Sequence, residues 1–249
     1  MIADVWAVMW KELKEFLLQS GTARGGLVRM LIFAAAFGVL LPLQAGRAWV
    51  TSPLSLLNAI WLPLLLVISV TVDSVAGERE RHTLETLLAS RLSDRSILLG
   101  KVAASVLYAW GLAIAGTLIS LVTCNLALWQ GELLLYSPEM SLSIVSLSLL
   151  VAALGASAGV LASLRAATVR QAAQTLTLGM LIVGSAIGFG ITFGFEALPP
   201  ESRKHLVRLL VEAGPLRVGL VAAGVLIVAT AGLLAIALAR FQRARLMLD

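Results

Sequence analysis

Six separate apolar runs, each near the roughly 20 residues that a helix needs to cross a bilayer, constrain this chain more than any other feature. They cover about Leu27 to Ala45, Leu54 to Ala76, Val102 to Trp129, Ser141 to Leu164, Ala172 to Phe195 and Val218 to Ala239. A backbone inside lipid must satisfy its own hydrogen bonds, so runs of this length predict an all-α polytopic membrane protein with six transmembrane helices. Composition agrees: 59% of the 249 residues are hydrophobic and 13% charged, outside the range of soluble domains. No internal repeat or low-complexity linker divides the chain, and residues 1–249 read as one membrane domain.

An even number of spans puts both termini on one side. Of the 19 Lys and Arg residues, 14 fall on the side of the termini: Lys11, Lys14, Arg24, Arg29, Arg79, Arg81, Arg91, Arg95, Lys101, Arg165, Arg170, Arg240, Arg243 and Arg245. Five fall on the other: Arg47, Arg203, Lys204, Arg208 and Arg217. The positive-inside rule therefore predicts cytoplasmic termini in a multi-pass cell (inner or plasma) membrane protein. These basic residues lie scattered at span ends rather than among stacking aromatics, which argues against nucleic acid as a partner.

The segments outside the spans carry their own patterns. Residues 1–26 hold an amphipathic stretch, with Ile2, Val5, Trp6, Met9, Leu13, Phe16 and Leu17 on one face and Asp4, Lys11, Glu12, Lys14 and Glu15 turned away. That pattern predicts a helix lying in the membrane interface, and its charges follow the apolar residues in an order no signal peptide shows. Residues 196–216 open on Pro199-Pro200 and close on Gly214-Pro215, which predicts a short outer helix bracketed at Ser202 to Glu212, a structural cap or a gate at the outer mouth. In the fifth run Gly184 and Gly188, and Gly190 and Gly194, stand four apart, the spacing that lets helices approach closely in lipid, so this run is the predicted subunit contact.

The most heavily charged stretch is residues 77–101, GERERHTLETLLASRLSDRSILLGK. Basic and acidic residues alternate there, and Leu84, Leu87 and Leu88 form one apolar stripe at i, i+3, i+4. Periodicity alone leaves two readings open, a solvated connector lying on the membrane and a short helix offered to a partner groove. Gly77-Glu78-Arg79-Glu80, Thr83-Leu84-Glu85, Leu87-Leu88-Ala89-Ser90 and Ile97-Leu98-Leu99-Gly100-Lys101 together resemble the signature of type-2 ATP-binding-cassette transporter permeases, and the span layout extends the resemblance along the chain. Two positions depart from that pattern: His82 stands where a Gly is usual and Arg91 where a Pro is usual.

The resemblance implies a permease half of an exporter. It pairs with a second permease, here expected as a homodimer, and with ATP-binding-cassette ATPase subunits that hold ATP and Mg. Glu78, Arg79, Glu80, Thr83, Leu84, Glu85, Leu87 and Leu88 would form the coupling helix that docks on the ATPase, with Arg79 and Glu85 pairing at its rim. The amphipathic N-terminal helix would help to form the groove. The substrate is not legible.

The chain's own residues offer little chemistry. Gly155-Ala156-Ser157-Ala158-Gly159 matches a nucleophile elbow, but it sits in a predicted span, and His82 and His205 lie on opposite sides of the membrane; the same residues spell G-x-x-x-G, and helix packing is the preferred reading. His82 and Glu85 lack a third ligand for a metal. Gly100-Lys101 lacks the Gly and the Ser or Thr of a phosphate-binding loop. One cysteine, Cys124, excludes an intrachain disulfide. The span interiors carry only neutral polar groups, so an ion-coupled pump is disfavoured and energy is expected from a partner. The alternatives are a scaffold that anchors an ATPase without transport and, less favoured, an intramembrane serine hydrolase using Ser157.

Overall fold

The computed structural model describes residues 1–18, 28, 31–83 and 89–241. These residues fold as helices joined by short turns, with no strand among them. In chain order the helices are α1 (Ile2–Leu18), α2 (Leu31–Ala45), α3 (Ala48–Thr51), α4 (Leu56–Thr71), α5 (Ala76–Glu80), α6 (Asp94–Ala127), α7 (Pro138–Arg165), α8 (Val169–Ala197) and α9 (Pro200–Arg240). Their starts are written in the sequence. Ser93, Ser137 and Thr168 each cap a long helix, accepting from the N–H of Ser96, Met140 and Gln171, and Pro138 sits where its missing N–H costs nothing.

Among the described residues five segments are long and apolar enough to cross a membrane: Pro53–Glu80, Asp94–Ala127, Pro138–Arg165, Val169–Ala197 and Gly219–Arg240. The chain is a membrane protein. The expected first span is described only as the shorter α2, since residues 19–27, 29 and 30 lie outside the described residues. α4, α6 and α7 form the centre, where Leu62, Val67, Ile97, Leu98, Ala109, Ala152, Ala156 and Val160 are buried together. Of the apolar windows in α8 and in Gly219–Arg240 only 6% is buried, so both face outward over most of their length. α8 is packed at its base, where Ala172 and Leu176 meet Val72, Ala76 and Ala166.

Three expectations meet the structure here. Gly155 and Gly159 do face another helix: a methyl at Gly155 would lie 3.2 Å from Val67 Cγ1, and one at Gly159 would overlap Thr71 Oγ1. Ser157, between them, is fully buried and its hydroxyl donates to the Ala153 carbonyl. The bracketed outer helix is corrected. Gly214 and Pro215 do not end it, and residues 200–240 form one 41-residue helix, because the membrane-length apolar run that follows re-forms helical bonds at once beyond a proline. The expectation for α1 is corrected at Glu12, which is buried beside Val8 and Met9 instead of being turned away with the other charges; Ile2 and Trp6, on the stripe expected at the membrane interface, are 85% and 63% exposed.

A proline also shapes α2. Its stretch Ala34–Leu40 is a π-helix in which the Leu41 N–H reaches back to the Ala36 carbonyl. Phe37 would then need a donor from residue 42, but Pro42 has none. The buried Asn58 of α4 supplies it, its Nδ2 donating to the Phe37 carbonyl at 3.2 Å. At the other end of α6, Asn125 holds the connecting loop by both its groups, accepting from the Leu134 N–H and donating to the Leu134 carbonyl at 2.8 Å each.

Candidate functional site

The turn from α4 into α5 is built on one hydroxyl. Val72 to Val75 leave the helix, which orphans backbone groups in a place with little water. Ser163 of α7, itself fully buried, accepts from the N–H groups of Val75 at 3.1 Å and Ala76 at 2.9 Å and donates to the Val72 carbonyl at 2.9 Å. One donor and two lone pairs are all that a serine has, and all three are used.

α5 ends as short helices often do, by reversing into a left-handed residue. The Thr83 N–H bonds to the Glu78 carbonyl at 2.9 Å and the His82 N–H to the Arg79 carbonyl at 3.1 Å, the pair of bonds that defines a Schellman motif. His82 occupies its left-handed position with φ of 55°, the only positive φ at a non-glycine among the described residues. A side chain there costs about 1–2 kcal/mol that glycine avoids. We expect His82→Gly to stabilise the detergent-solubilised protein by up to about 1 kcal/mol after glycine's own entropic penalty, read as a higher thermal midpoint.

The charges of α5 all bind within the chain. Glu78 Oε1 lies 2.9 Å from Lys101 Nζ of α6, and the same ammonium lies 2.8 Å from Glu12 Oε1 of α1. These three side chains are almost fully buried, with Lys101 1% exposed. Lys11 closes the cluster at its rim, 3.4 Å from Glu12, 3.1 Å from Glu15 and 3.7 Å from Glu78. Partial burial alone would lower the Lys11 pKa, but Glu12, Glu15 and Glu78 outweigh it and raise it above the ordinary lysine value. α1 can come this close because residue 100 is glycine: a methyl there would sit 2.6 Å from Val8 Cβ.

Arg79 and Glu80 grip the turn between α7 and α8. Arg79 Nη1 donates to the Ala166 carbonyl at 2.6 Å, and Glu80 Oε1 accepts from the Val169 N–H, the first of α8, at 2.8 Å. With Thr168 accepting from the Gln171 N–H, and Gln171 Oε1 from the Ala167 N–H, the start of α8 is closed by three side-chain acceptors. Arg81 returns to Asp73 through a forked contact with each N–O distance at 3.2 Å.

The expected coupling residues therefore divide. Glu78, Arg79 and Glu80 come together, and they are joined to α1, α6, α7 and α8. Thr83 is exposed and its hydroxyl donates back to the Glu78 carbonyl at 3.3 Å. Leu84, Glu85, Leu87 and Leu88 lie outside the described residues. The reading of residues 77–101 as one water-exposed run is corrected at its ends, where Gly77, Glu78 and Lys101 are buried. Arg79, expected at a partner's rim, has Nη1 committed to Ala166. Gly184, Gly188, Gly190 and Gly194 are exposed, with open space where a methyl would go. Glu12, Lys101 and Ser163 were not among the expected site residues. Lys101 stood out in the sequence only as the end of the Ile97–Lys101 part of the signature, with nothing there to show that it is buried between two carboxylates.

Comparison with protein-family models and with curated proteins finds no match to this chain.

Proposed function

We propose that this chain is the permease subunit of a type-2 ATP-binding-cassette exporter, carrying no nucleotide site of its own. In this reading α2 belongs to a sixth span and both termini are cytoplasmic. Two copies meet at or near α8, and residues 77–88 receive the ATPase subunit that holds ATP and Mg. One observation carries the reading: α5 ends in a Schellman motif whose left-handed residue is His82, the position where the resembling family has glycine. A Gly-Glu-Arg-Glu-Arg helix that must reverse direction there explains, in backbone terms, why that signature has the form it has.

The ion pairs of the preceding section give the proposal its mechanics. A contact helix that transmits force must be stiffly joined to what it moves, and Glu78, Arg79 and Glu80 fasten α5 to four other helices. Burying the three leucines of the following stripe contributes at most roughly 5–9 kcal/mol. Association costs roughly 4–15 kcal/mol, so a single stripe does not hold an ATPase and two copies must engage it together.

The test is Leu84→Asp combined with Leu88→Asp in the reconstituted complex. Membrane insertion should persist while transport and ATPase stimulation fall together. Full stimulation by the double variant, or failure to insert, overturns the proposal. Stimulation that persists in the wild-type complex without any transported substrate returns the scaffold reading.

A further inference from the structure

We propose that the outer ridge of α1 is a docking surface for anionic phospholipid headgroups, with its tryptophans at the headgroup–acyl boundary. The proposal needs only that the chain is membrane-embedded and holds whether or not an ATPase binds. Ile2, Trp6, Trp10 and Lys14 follow one another at i, i+4, i+8 and i+12, the spacing of a single ridge on a helix. Trp6, Trp10 and Lys14 stand on the side away from Val8 and Glu12, which the bundle covers, and the buried Met9 marks the edge of the ridge beside Ile2. Ile2, Trp6 and Trp10 are 85%, 63% and 52% exposed. Indole is the side chain best suited to a headgroup boundary, with an apolar body and one N–H for a polar partner.

Charge selects the headgroup. Every carboxylate of α1 is engaged elsewhere: Asp4 with the N-terminal ammonium at 3.1 Å, Glu12 with the buried Lys101, and Glu15 with Lys11 at 3.1 Å. Lys14 has no ion pair among the described residues; its ammonium lies 5.4 Å from the centre of the Trp10 ring. The ridge thus presents a cation beside two indoles and no competing anion, because a lysine from a different helix has drawn Glu12 inside. A net-anionic phosphate surface matches that pattern, and a zwitterionic one offers the ammonium no net counter-charge.

The experiment uses the full chain in nanodiscs containing brominated phosphatidylglycerol or brominated phosphatidylcholine. Subtracting the emission of a Trp6→Phe, Trp10→Phe variant isolates the ridge from the other tryptophans. The ridge should be quenched by both lipids, with about a five-fold preference for the anionic one, the preference that one surface lysine confers. Lys14→Glu and the milder Lys14→Gln should each remove the preference and leave the quenching. Equal quenching by the two lipids in the wild type overturns the headgroup assignment. Quenching by aqueous acrylamide but by neither lipid overturns the docking surface. So does a ridge that only an added ATPase subunit shields, which assigns the ridge to a protein partner.

Discussion

Replacing Lys101 with Met is expected to destabilise the protein by about 3–5 kcal/mol, the range for removing one partner from a buried ion pair. Both Glu12 and Glu78 hold that one ammonium, at 2.8 and 2.9 Å, and Glu78 Oε2 is already buried with no hydrogen-bond partner among the described residues. Lys11 is the remaining cation, half-exposed and farther away, so it cannot replace the lost charge. The check is a thermal or denaturant melt in detergent, followed by a rescue. Adding Glu12→Gln and Glu78→Gln to the Met variant removes the stranded charges and should restore most of the loss. If Lys101→Met alone melts like the wild type, the buried network contributes nothing to stability.

Ser163→Ala should be nearly as damaging. It adds no bulk and removes the hydroxyl that serves three backbone groups: the N–H of Val75 and Ala76 and the carbonyl of Val72. Each stranded buried group costs about 1–3 kcal/mol, so a loss of several kcal/mol is expected. The damage should be local. Amide hydrogen exchange should rise at Val75 and Ala76 before it rises in the middle of α6. Uniform exchange across both segments would place Ser163 among ordinary packing residues.

Five of the six spans were legible because their signal is additive: twenty apolar residues in a row have few alternative fates. The faces within them were less so. α1 shows an apolar stripe through Ile2, Trp6 and Leu13 that periodicity assigns to the membrane interface, and nothing in that pattern says that the bundle takes the neighbouring face with Glu12 in its middle. A carboxylate is drawn inside only because an ammonium far along the chain waits there, and local pattern carries no trace of that. The helix break at Gly214-Pro215 failed for a related reason. Local turn chemistry loses to a long apolar run that has to remain helical. His82 was legible as a departure from the pattern of the resembling family, and its left-handed backbone is where a glycine would sit without strain.

The ion pair between Lys101 and Glu12 spans 89 positions of sequence, and this orders events during synthesis. Chains grow at about 5–20 residues per second, so α1 emerges roughly 4–18 s before the ammonium that will fasten it exists. In that interval Lys11, one residue away, is the cation left to answer Glu12. A helix made well before its partner waits for it to be locked. A nascent chain halted before Lys101 would carry α1 as an arm that a protease can still reach, and resistance at the N-terminus would arrive abruptly once the third long helix had emerged.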